Sequence, residues 1–447
     1  MPSRGTWGSR VGFILAAAGS AIGLGNIWRF PYLAGKHGGA LFVLIYIAAV
    51  VILGVPVMLA EFALGRATRK NPVGAFDEIR PGTKWKYVGY LGVVSGVTIL
   101  SFYCVISGWT LGYCYKSLSG QLKHLDKGIT TAIFQSFSAD PFWQIALLAA
   151  FIGLTIYIVA QGVSAGLERY SKILMPILFV LLLLLLGRSL TLPGASRGLV
   201  FYLKPDFSKI NGVVFLEAMG QAFFSLSLGM GAMLTYGSYL KKDENLVSAT
   251  YWVVVLDTVS AILAGFIVFP AIFSQNMVPD QGPGLAFIIL PVIFSKIPAG
   301  AIFGAMFFVL LAVAALASTI SILEVPVAYL IDEKKWPRHK ATWLMGILSL
   351  AVGVPSALSG GGLKFFTRLP LLHMDFMSVM DKLWGNVALS IGSFFIAIFV
   401  AYVWKASKAL AVIESGGFTF RLARYWILAI KYICPPVILA VLISQFF

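Results

Sequence analysis

Apolar segments of about 20 residues recur along this chain and constrain its fold more than any other feature. Of the 447 residues, 59% are hydrophobic and 12% are charged, and the mean hydropathy of +0.88 excludes a soluble protein. A helix of about 20 apolar residues spans a bilayer core, whereas a β-barrel shows alternating segments of about 10 residues. The sequence therefore predicts an all-α polytopic membrane protein with eleven transmembrane helices, at about residues 10–35, 40–67, 86–117, 141–159, 167–189, 212–240, 247–274, 299–331, 341–359, 374–404 and 424–446.

The net charge of +16 does not indicate nucleic-acid binding, because most basic residues fall in loops on one side of the predicted membrane. The segments "RATRKNPVGAFDEIRPGTKWK" and "EKKWPRHK" follow spans 2 and 8, and a third basic loop joins spans 10 and 11. Loops rich in Lys and Arg face the cytoplasm. We therefore expect a multi-pass protein of the cell (inner) membrane, with a cytoplasmic N-terminus and an extracellular or periplasmic C-terminus.

No catalytic or metal-binding constellation is visible, so an enzyme is not expected. The four histidines are scattered over loops and span ends, and the three cysteines all fall inside predicted spans. This distribution fits neither a zinc site nor a disulfide framework.

Two predicted spans contain glycine-rich interruptions. The first is "GSAIGLGNIWRFP" at 19–31 and the second, five spans later, is "GQAFFSLSLGMG" at 220–231. Interrupted spans at corresponding positions of two halves are typical of transporters with inverted repeats, because a broken helix exposes carbonyls to cations and N–H groups to anions. The sequence predicts one transporter domain (1–447) with 5+5 inverted repeats at about 10–189 and 212–404, broken helices 1 and 6, and an extra helix at about 424–446. Alternatively, Gly19 and Gly23 form a small-residue packing face.

The segment "GSAIGLGNIWRFPYLAGKHGGALFVLIY" closely resembles the first-span signature of the neurotransmitter:sodium symporter family. "GQAFFSLSLGMGAMLTYGSY" resembles the family's sixth span, and "EFALGR", "SGWTLG" and "LEVPVAYLIDE" resemble its second, third and eighth. The resemblance extends over essentially the whole chain, and the lack of a twelfth span is similar to the bacterial eleven-span branch. It implies an alternating-access symporter that carries amino acids or related amines together with one or two Na⁺ ions.

The resemblance implies a first sodium site formed by the carbonyl of Ala21, the amide of Asn26, the hydroxyl of Ser225 and Asp257. The family often has asparagine where this chain has Asp257. Since chloride-dependent relatives bind an anion nearby, the Asp257 carboxylate implies a chloride-independent protein and leaves proton antiport on the return step open. Alternatively, Asp257 pairs within the helix bundle.

The resemblance implies a second sodium site with a ligand missing. Ala317 stands where the family usually has a hydroxyl, and a one-residue shift would offer Ser318 and Thr319 instead. The following "ILEVPVAYLIDE" favours the unshifted register. The implied ligands are the carbonyls of Gly19, Ile22 and Ala314 and the hydroxyl of Ser318.

The family's amine transporters carry an aspartate at the position of Gly23, so its absence implies that the substrate brings its own carboxylate. The residues expected to surround the side chain of the substrate are mostly apolar, which favours a hydrophobic or aromatic amino acid as the substrate. The resemblance implies a substrate site formed by Ala21, Gly23, Gly25, Ile99, Tyr103, Phe224, Ser225, Ser227, Met230, Ser318 and Ile322.

The resemblance also implies two gates. Arg29 is similar to the outer-gate arginine, with Asp381 as its acid, Asp375 as the alternative acid and Gln221 as a buttress. Alternatively, Arg29 extends to the membrane interface. Five residues match the family's cytoplasmic latch: Arg4, Trp7, Ser238, Tyr239 and Asp332.

We therefore expect a sodium-coupled symporter that imports hydrophobic or aromatic L-amino acids without chloride. The alternatives are a transporter of small osmolytes or other amines, a proton-coupled amino-acid transporter, and a nutrient sensor without transport. The expected partners are the amino acid and the lipid bilayer, and the expected assembly is a monomer or a weak homodimer.

Overall fold

The computed structural model describes residues 5–122, 125–277 and 282–446, and within these ranges the regular structure is entirely helical. Nine continuous helices there are long and apolar enough to cross a membrane. They are Ala40–Thr68, Lys86–Leu118, Pro141–Ala160, Val163–Leu190, Leu246–Ser274, Gly300–Lys334, Arg338–Leu358, Phe376–Val403 and Ala423–Ser444.

The first span is broken at residues 22–24. Its first half, Arg10–Ala21, meets its second half, Gly25–Lys36, at a bend of 51°. In the expected orientation these are the inner and the outer half of the span. Ser9 begins the inner half as an N-cap, since its hydroxyl accepts a hydrogen bond from the Gly12 N–H at 3.1 Å. The break occurs in the glycine-rich stretch that the sequence singled out.

The sixth span is also broken. The helices Gly212–Ser225 and Ala232–Ser238 flank a stretch of turns at 226–231. Gly229 and Gly231 have φ angles of +88° and +79°, which glycine adopts without the steric cost that a side chain would impose. Nine continuous helices and the broken first span account for ten of the eleven predicted spans in the described part of the chain, and the helices Gly212–Ser225 and Ala232–Ser238 lie where the sixth was predicted. The prediction of an all-helical architecture with breaks in the first and the sixth span is thus confirmed.

Two long helices form the centre of the bundle. The third span, Lys86–Leu118, packs along the eighth, Gly300–Lys334, and most of both helices is buried. The inner half of the first span also packs against the eighth span. The break of the first span therefore lies beside the middle of the eighth span, where the candidate site is found. Both predicted repeats, 10–189 and 212–404, begin with a broken span, and their inverted relation stays a prediction.

Short helices cover the ends of the bundle. The helix Ile289–Lys296 follows the 3₁₀ turn Gly282–Leu285 in the connection between the seventh and eighth spans. Phe287, between these two elements, is buried against Trp28, Trp109 and Tyr113. The remaining connections contain the helices Pro72–Ile79, Lys127–Ala139, Ala195–Leu203 and Ala406–Ile413.

We predict that Gly65→Ala destabilises the bundle, because Gly65 lies against the inner half of the sixth span. An added Cβ would lie 2.0 Å from the Leu234 carbonyl oxygen and 2.8 Å from the Ser238 nitrogen. Overpacking of this kind costs about 1–3 kcal/mol, so the melting temperature in detergent should fall by several degrees. Gly153→Ala is the matched control, since its added Cβ meets nothing within 4 Å. Equal melting temperatures for the two variants would contradict the prediction.

Candidate functional site

The two helix breaks enclose a central cavity of about 30 Å³. The eleven residues expected to form the substrate site all line it, although the structure does not test their role. Sequence reasoning missed two lining residues. Ser20 lies next to the expected ligands, and Leu389 comes from the tenth span, where no motif singled it out. The lining consists of Ser20, Ala21, Gly23, Gly25, Ile99, Tyr103, Phe224, Ser225, Ser227, Met230, Ser318, Ile322 and Leu389.

Glycine is required at the first break because side chains from three spans approach it. A Cβ added at Gly23 would lie 2.6 Å from both the Tyr103 and the Ser318 hydroxyl oxygens. A Cβ added at Gly25 would lie 2.9 Å from the Phe224 ring. The Leu24 N–H donates to the Tyr103 hydroxyl at 2.9 Å, which fixes that hydroxyl beside the break. An aspartate side chain at position 23 could not be accommodated in this arrangement.

Three of the four residues expected at the first sodium site, Asn26, Ser225 and Asp257, form one buried polar cluster. The Asn26 amide donates to the Asp257 carboxylate at 2.7 Å and to the Ser225 hydroxyl at 3.1 Å. Ser225 in turn donates to the carboxylate at 2.9 Å, and Tyr46 donates to it at 3.2 Å. Ala21 ends the inner half of the first span, where helix carbonyls lack intrahelical partners. Tyr46 was not expected, because a single tyrosine in an apolar span gives no sequence signal.

The residues expected at the second sodium site also converge. The Ser318 hydroxyl oxygen lies 3.4 Å from the Gly19 carbonyl oxygen and 3.3 Å from that of Ile22. The Ser20 carbonyl oxygen is also 3.3 Å away, and Ala314 lies buried one helical turn before Ser318.

The alternative register at the second site is not favoured. Thr319 donates to the carbonyl of Leu316 and contacts the Thr155 hydroxyl at 2.9 Å, so it faces the fourth span. A Cβ added at Gly19 would lie 3.2 Å from the Ala317 methyl. The side chain that faces Gly19 here is therefore apolar, and Ser318 supplies the hydroxyl.

A second, larger cavity of about 820 Å³ lies on the outer side of the central one. Tyr103, Phe224 and Gly25 line both cavities, so these two aromatic rings separate them. We call this larger cavity the outer vestibule. It is lined by residues of the first, third, sixth and tenth spans, among them Arg29 and Asp381.

Arg29 stands in the outer vestibule with a different partner from the one expected. Its guanidinium donates to the Asn386 side chain at 2.9 Å and lies 4.7 Å from the centre of the Phe224 ring. Asp381 lines the same vestibule, whereas the alternative acid, Asp375, caps the helix Phe376–Met380. The pairing of Arg29 with Asp381 stays a prediction.

Gln221 does not contact Arg29 in this structure. Its side-chain amide donates to the Gly25 carbonyl at 3.0 Å and so joins the sixth span to the outer half of the first. This bond supports the backbone that carries Arg29, and a role of Gln221 as a buttress of the gate stays a prediction.

Trp7 and Ser238 lie together on the inner side. The Trp7 indole donates to the Tyr236 carbonyl at 3.0 Å and packs edge-on against the Tyr236 ring. Ser238 is buried in the same helix, and its hydroxyl donates to the Thr235 carbonyl at 2.5 Å. Arg4 lies outside the described residues.

Glu324 joins the neighbouring ends of the sixth, eighth and ninth spans. Its buried carboxylate accepts hydrogen bonds from the Tyr239 hydroxyl at 2.6 Å and from the Arg338 guanidinium at 2.7 and 2.8 Å. Asp332, one of the expected latch residues, accepts a hydrogen bond from the Asn71 N–H at 2.8 Å. These contacts join the neighbouring ends of the sixth, eighth and ninth spans, and join the end of the eighth span to the segment after the second.

Comparison with known proteins agrees with this architecture. Residues 4–138 and 130–447 match the profile of the sodium:neurotransmitter symporter family. The sodium-dependent transporter YhdH of Bacillus subtilis is 39% identical over 98% of this chain and 97% of its own length. The sodium- and chloride-dependent glycine transporter 2 of Xenopus laevis is 26% identical over 100% of this chain and 64% of its own length.

Among solved structures, the crystal structure of MhsT in complex with L-phenylalanine superimposes with a TM-score of 0.90. It is 45% identical to this chain, and the alignment covers 99% of this chain and 100% of MhsT. These comparisons confirm the family that the motifs indicated. That family consists of transporters and not of enzymes. The chain belongs to the sodium:neurotransmitter symporter family and is a sodium-dependent symporter of the membrane.

Proposed function

We propose that this symporter imports hydrophobic L-amino acids, including aromatic ones, with Na⁺ and without chloride, by alternating access. The central cavity carries this proposal, because backbone polar groups of the two breaks meet at one end of it and apolar side chains at the other. We propose in addition that the protein lies in the cell membrane with its N-terminus in the cytoplasm and its C-terminus outside.

The polar end of the cavity suits the α-carboxylate and α-ammonium groups of an amino acid. Backbone N–H groups around Gly23–Gly25 and the Tyr103 hydroxyl would hold the carboxylate, as helix N-termini hold anions. The carbonyls of Ala21 and Phe224 and the hydroxyl of Ser225 would hold the ammonium group. Since no acidic side chain fits at position 23, the negative charge at this end of the cavity would come from the carboxylate of the substrate.

The other end of the cavity suits an apolar side chain. Ile99, Met230, Ile322 and Leu389 line it, and such a lining gives no polar partner to a small osmolyte. Met230 has a flexible side chain and lies between two glycines with positive φ, so this wall can adapt to larger rings. The phenylalanine bound by the related MhsT supports the same class of substrate.

The Asp257 cluster supports chloride-independent sodium coupling. A carboxylate held by Asn26, Ser225 and Tyr46 supplies a permanent oxygen ligand and a negative charge for a hard cation. No bound anion is then needed to balance the sodium charge. One alternative function is a proton-coupled amino-acid transporter. The apolar Ala317 favours it, because this residue stands where the family usually has a hydroxyl ligand of the second sodium site.

The open outer vestibule and the closed inner side support alternating access. Substrate and Na⁺ would enter from the vestibule past Tyr103 and Phe224, and the Arg29 gate would close over them. Release would then require the inner contacts of Trp7 and Glu324 to break. Substrate and Na⁺ can each shift the equilibrium between the outward-open and the inward-open state only if they bind the two states with different affinities.

We expect sodium-driven uptake of tryptophan and leucine into proteoliposomes, but not of glycine or glutamate. The apolar end of the cavity would hold the first two side chains and gives no partner to the others. Labelled amino acids would be measured with and without an inward Na⁺ gradient, and with chloride replaced by gluconate. Uptake that does not depend on Na⁺ would favour proton coupling. Loss of uptake in gluconate would contradict the proposal that the Asp257 carboxylate makes chloride unnecessary. Binding without uptake would indicate a sensor.

We predict that Asp257→Asn raises the Na⁺ concentration for half-maximal uptake about tenfold, because the cation loses a charged ligand in a buried site. Added chloride should restore part of the lost sodium affinity by replacing the missing negative charge. The matched control is Asp375→Asn, which removes a helix-capping carboxylate outside the cavity. An unchanged sodium dependence in Asp257→Asn would refute the assignment of this carboxylate to the cation.

We predict that Gly23→Ala abolishes binding of tryptophan, since the added methyl would occupy the space between Tyr103 and Ser318. A loss of at least about a hundredfold in affinity is expected when a contact of this kind blocks the backbone donors. Gly187→Ala, whose added Cβ meets nothing within 4 Å, is the control. Binding would be measured by titration of the purified protein at saturating Na⁺, and retained affinity in Gly23→Ala would place the substrate elsewhere.

A further inference from the structure

Glu168 is a buried carboxylate in the fifth span that the proposed transport site does not use. Only 3% of the residue is exposed, and an acid inside a membrane-spanning segment is costly unless it has partners. Its carboxylate accepts a hydrogen bond from the Gly8 N–H at 2.6 Å and from the Ser9 hydroxyl at 2.8 Å. Both donors precede the first span, and Ser9 is the residue that caps its inner half.

The start of the first span and the segment before it fit against the fifth span because they carry glycine at three positions. A Cβ added at Gly12 would lie 2.2 Å from a Glu168 carboxylate oxygen, and one at Gly8 would lie 3.2 Å from the other oxygen. A Cβ added at Gly5 would lie 2.9 Å from the Val163 side chain. The close approach that these glycines allow places the carboxylate at the N-terminus of a helix, where negative charge is favoured.

The same segment is held on its other side by the sixth span. Trp7 donates to the Tyr236 carbonyl and packs against the rings of Tyr236 and Tyr239. The inner half of the first span is therefore fixed between two spans at its start and ends in the helix break. Because the break separates it from the outer half, this inner half can move without the rest of the first span.

We infer that Glu168 is a positioning residue that latches the inner half of the first span to the fifth span in the closed arrangement. Opening of the inner side requires its bonds to Gly8 and Ser9 to break. This inference rests on the proposed alternating access for its consequence in transport, whereas the latch itself can be tested without transport.

Lys172 makes such a latch reversible. Its ammonium group lies 2.6 Å from the Glu168 carboxylate, and both residues belong to the same helix, one turn apart. The pair therefore stays together when the first span moves away. A carboxylate left alone in the opened state would be strongly disfavoured, and Lys172, whose side chain is 42% exposed, supplies the compensating charge.

Hydrogen–deuterium exchange of the full-length protein tests the latch. In Glu168→Gln, amide exchange in residues 5–21 should become about tenfold faster, because two hydrogen bonds to a charged acceptor are weakened. Exchange in the third span, 86–118, should stay unchanged. The matched control is Glu78→Gln, an exposed carboxylate on the cytoplasmic surface in the proposed orientation. Unchanged exchange of residues 5–21 in Glu168→Gln would overturn the inference.

Lys172→Gln separates a latch from a merely structural contact. The closed state keeps both donors to Glu168, but the opened state loses its compensating charge, so exchange of residues 5–21 should become slower. A structural role would make exchange faster in both variants, and that result would also overturn the inference. If the wild-type protein shows no amino-acid uptake while Glu168→Gln speeds and Lys172→Gln slows exchange of residues 5–21, that result would count against the proposed function and leave the latch intact.

Discussion

A helix that is interrupted inside a bilayer must find partners for its freed backbone groups within the protein, and this requirement organises the rest of the structure. For the sixth span the partner is Glu61. Its buried carboxylate accepts hydrogen bonds from the N–H groups of Gly229 and Leu234 at 2.8 and 3.3 Å. The first span uses neutral groups instead, since Tyr103 accepts the Leu24 N–H and the Asn26 side chain accepts that of Gly23. Tyr103, which supports the first break, also lines the central cavity, so the fold and the proposed site share this contact.

The buried acids of the described chain differ in how their charge is balanced. Glu324 is paired with a guanidinium and Glu168 with an ammonium group, so both are neutralised by the protein itself. Asp257 and Glu61 receive hydrogen bonds from uncharged donors only. Glu61 faces the amide-rich start of a helix, which supplies a partial positive charge. Asp257 has no such compensation, which is the physical reason to expect a cation beside it.

The spans and their breaks could be predicted from sequence because both are local. About 20 apolar residues are sufficient to indicate a span, and glycine clusters indicated the interruptions at 22–24 and 226–231. Contacts between distant segments could not be predicted in this way. Tyr46 reaches Asp257 across 211 positions, and Arg29 reaches Asn386 across 357. Leu389 escaped notice for the same reason, since it is an ordinary leucine until the tenth span is placed beside the sixth-span break.

Two hydroxyls connect the proposed cation sites to the proposed substrate site. Ser225 lines the central cavity and donates to Asp257, and Ser318 lines the same cavity and lies among the carbonyls of Gly19 and Ile22. A substrate and a cation that share a hydroxyl restrict its orientation together, so each one lowers the entropic cost of binding the other. Because Gly19 belongs to the inner half of the first span, a cation held there also favours the position of that half against the eighth span. Coupling between ion and substrate then follows from shared ligands, and coupling to the inner closure follows from the helix that carries them.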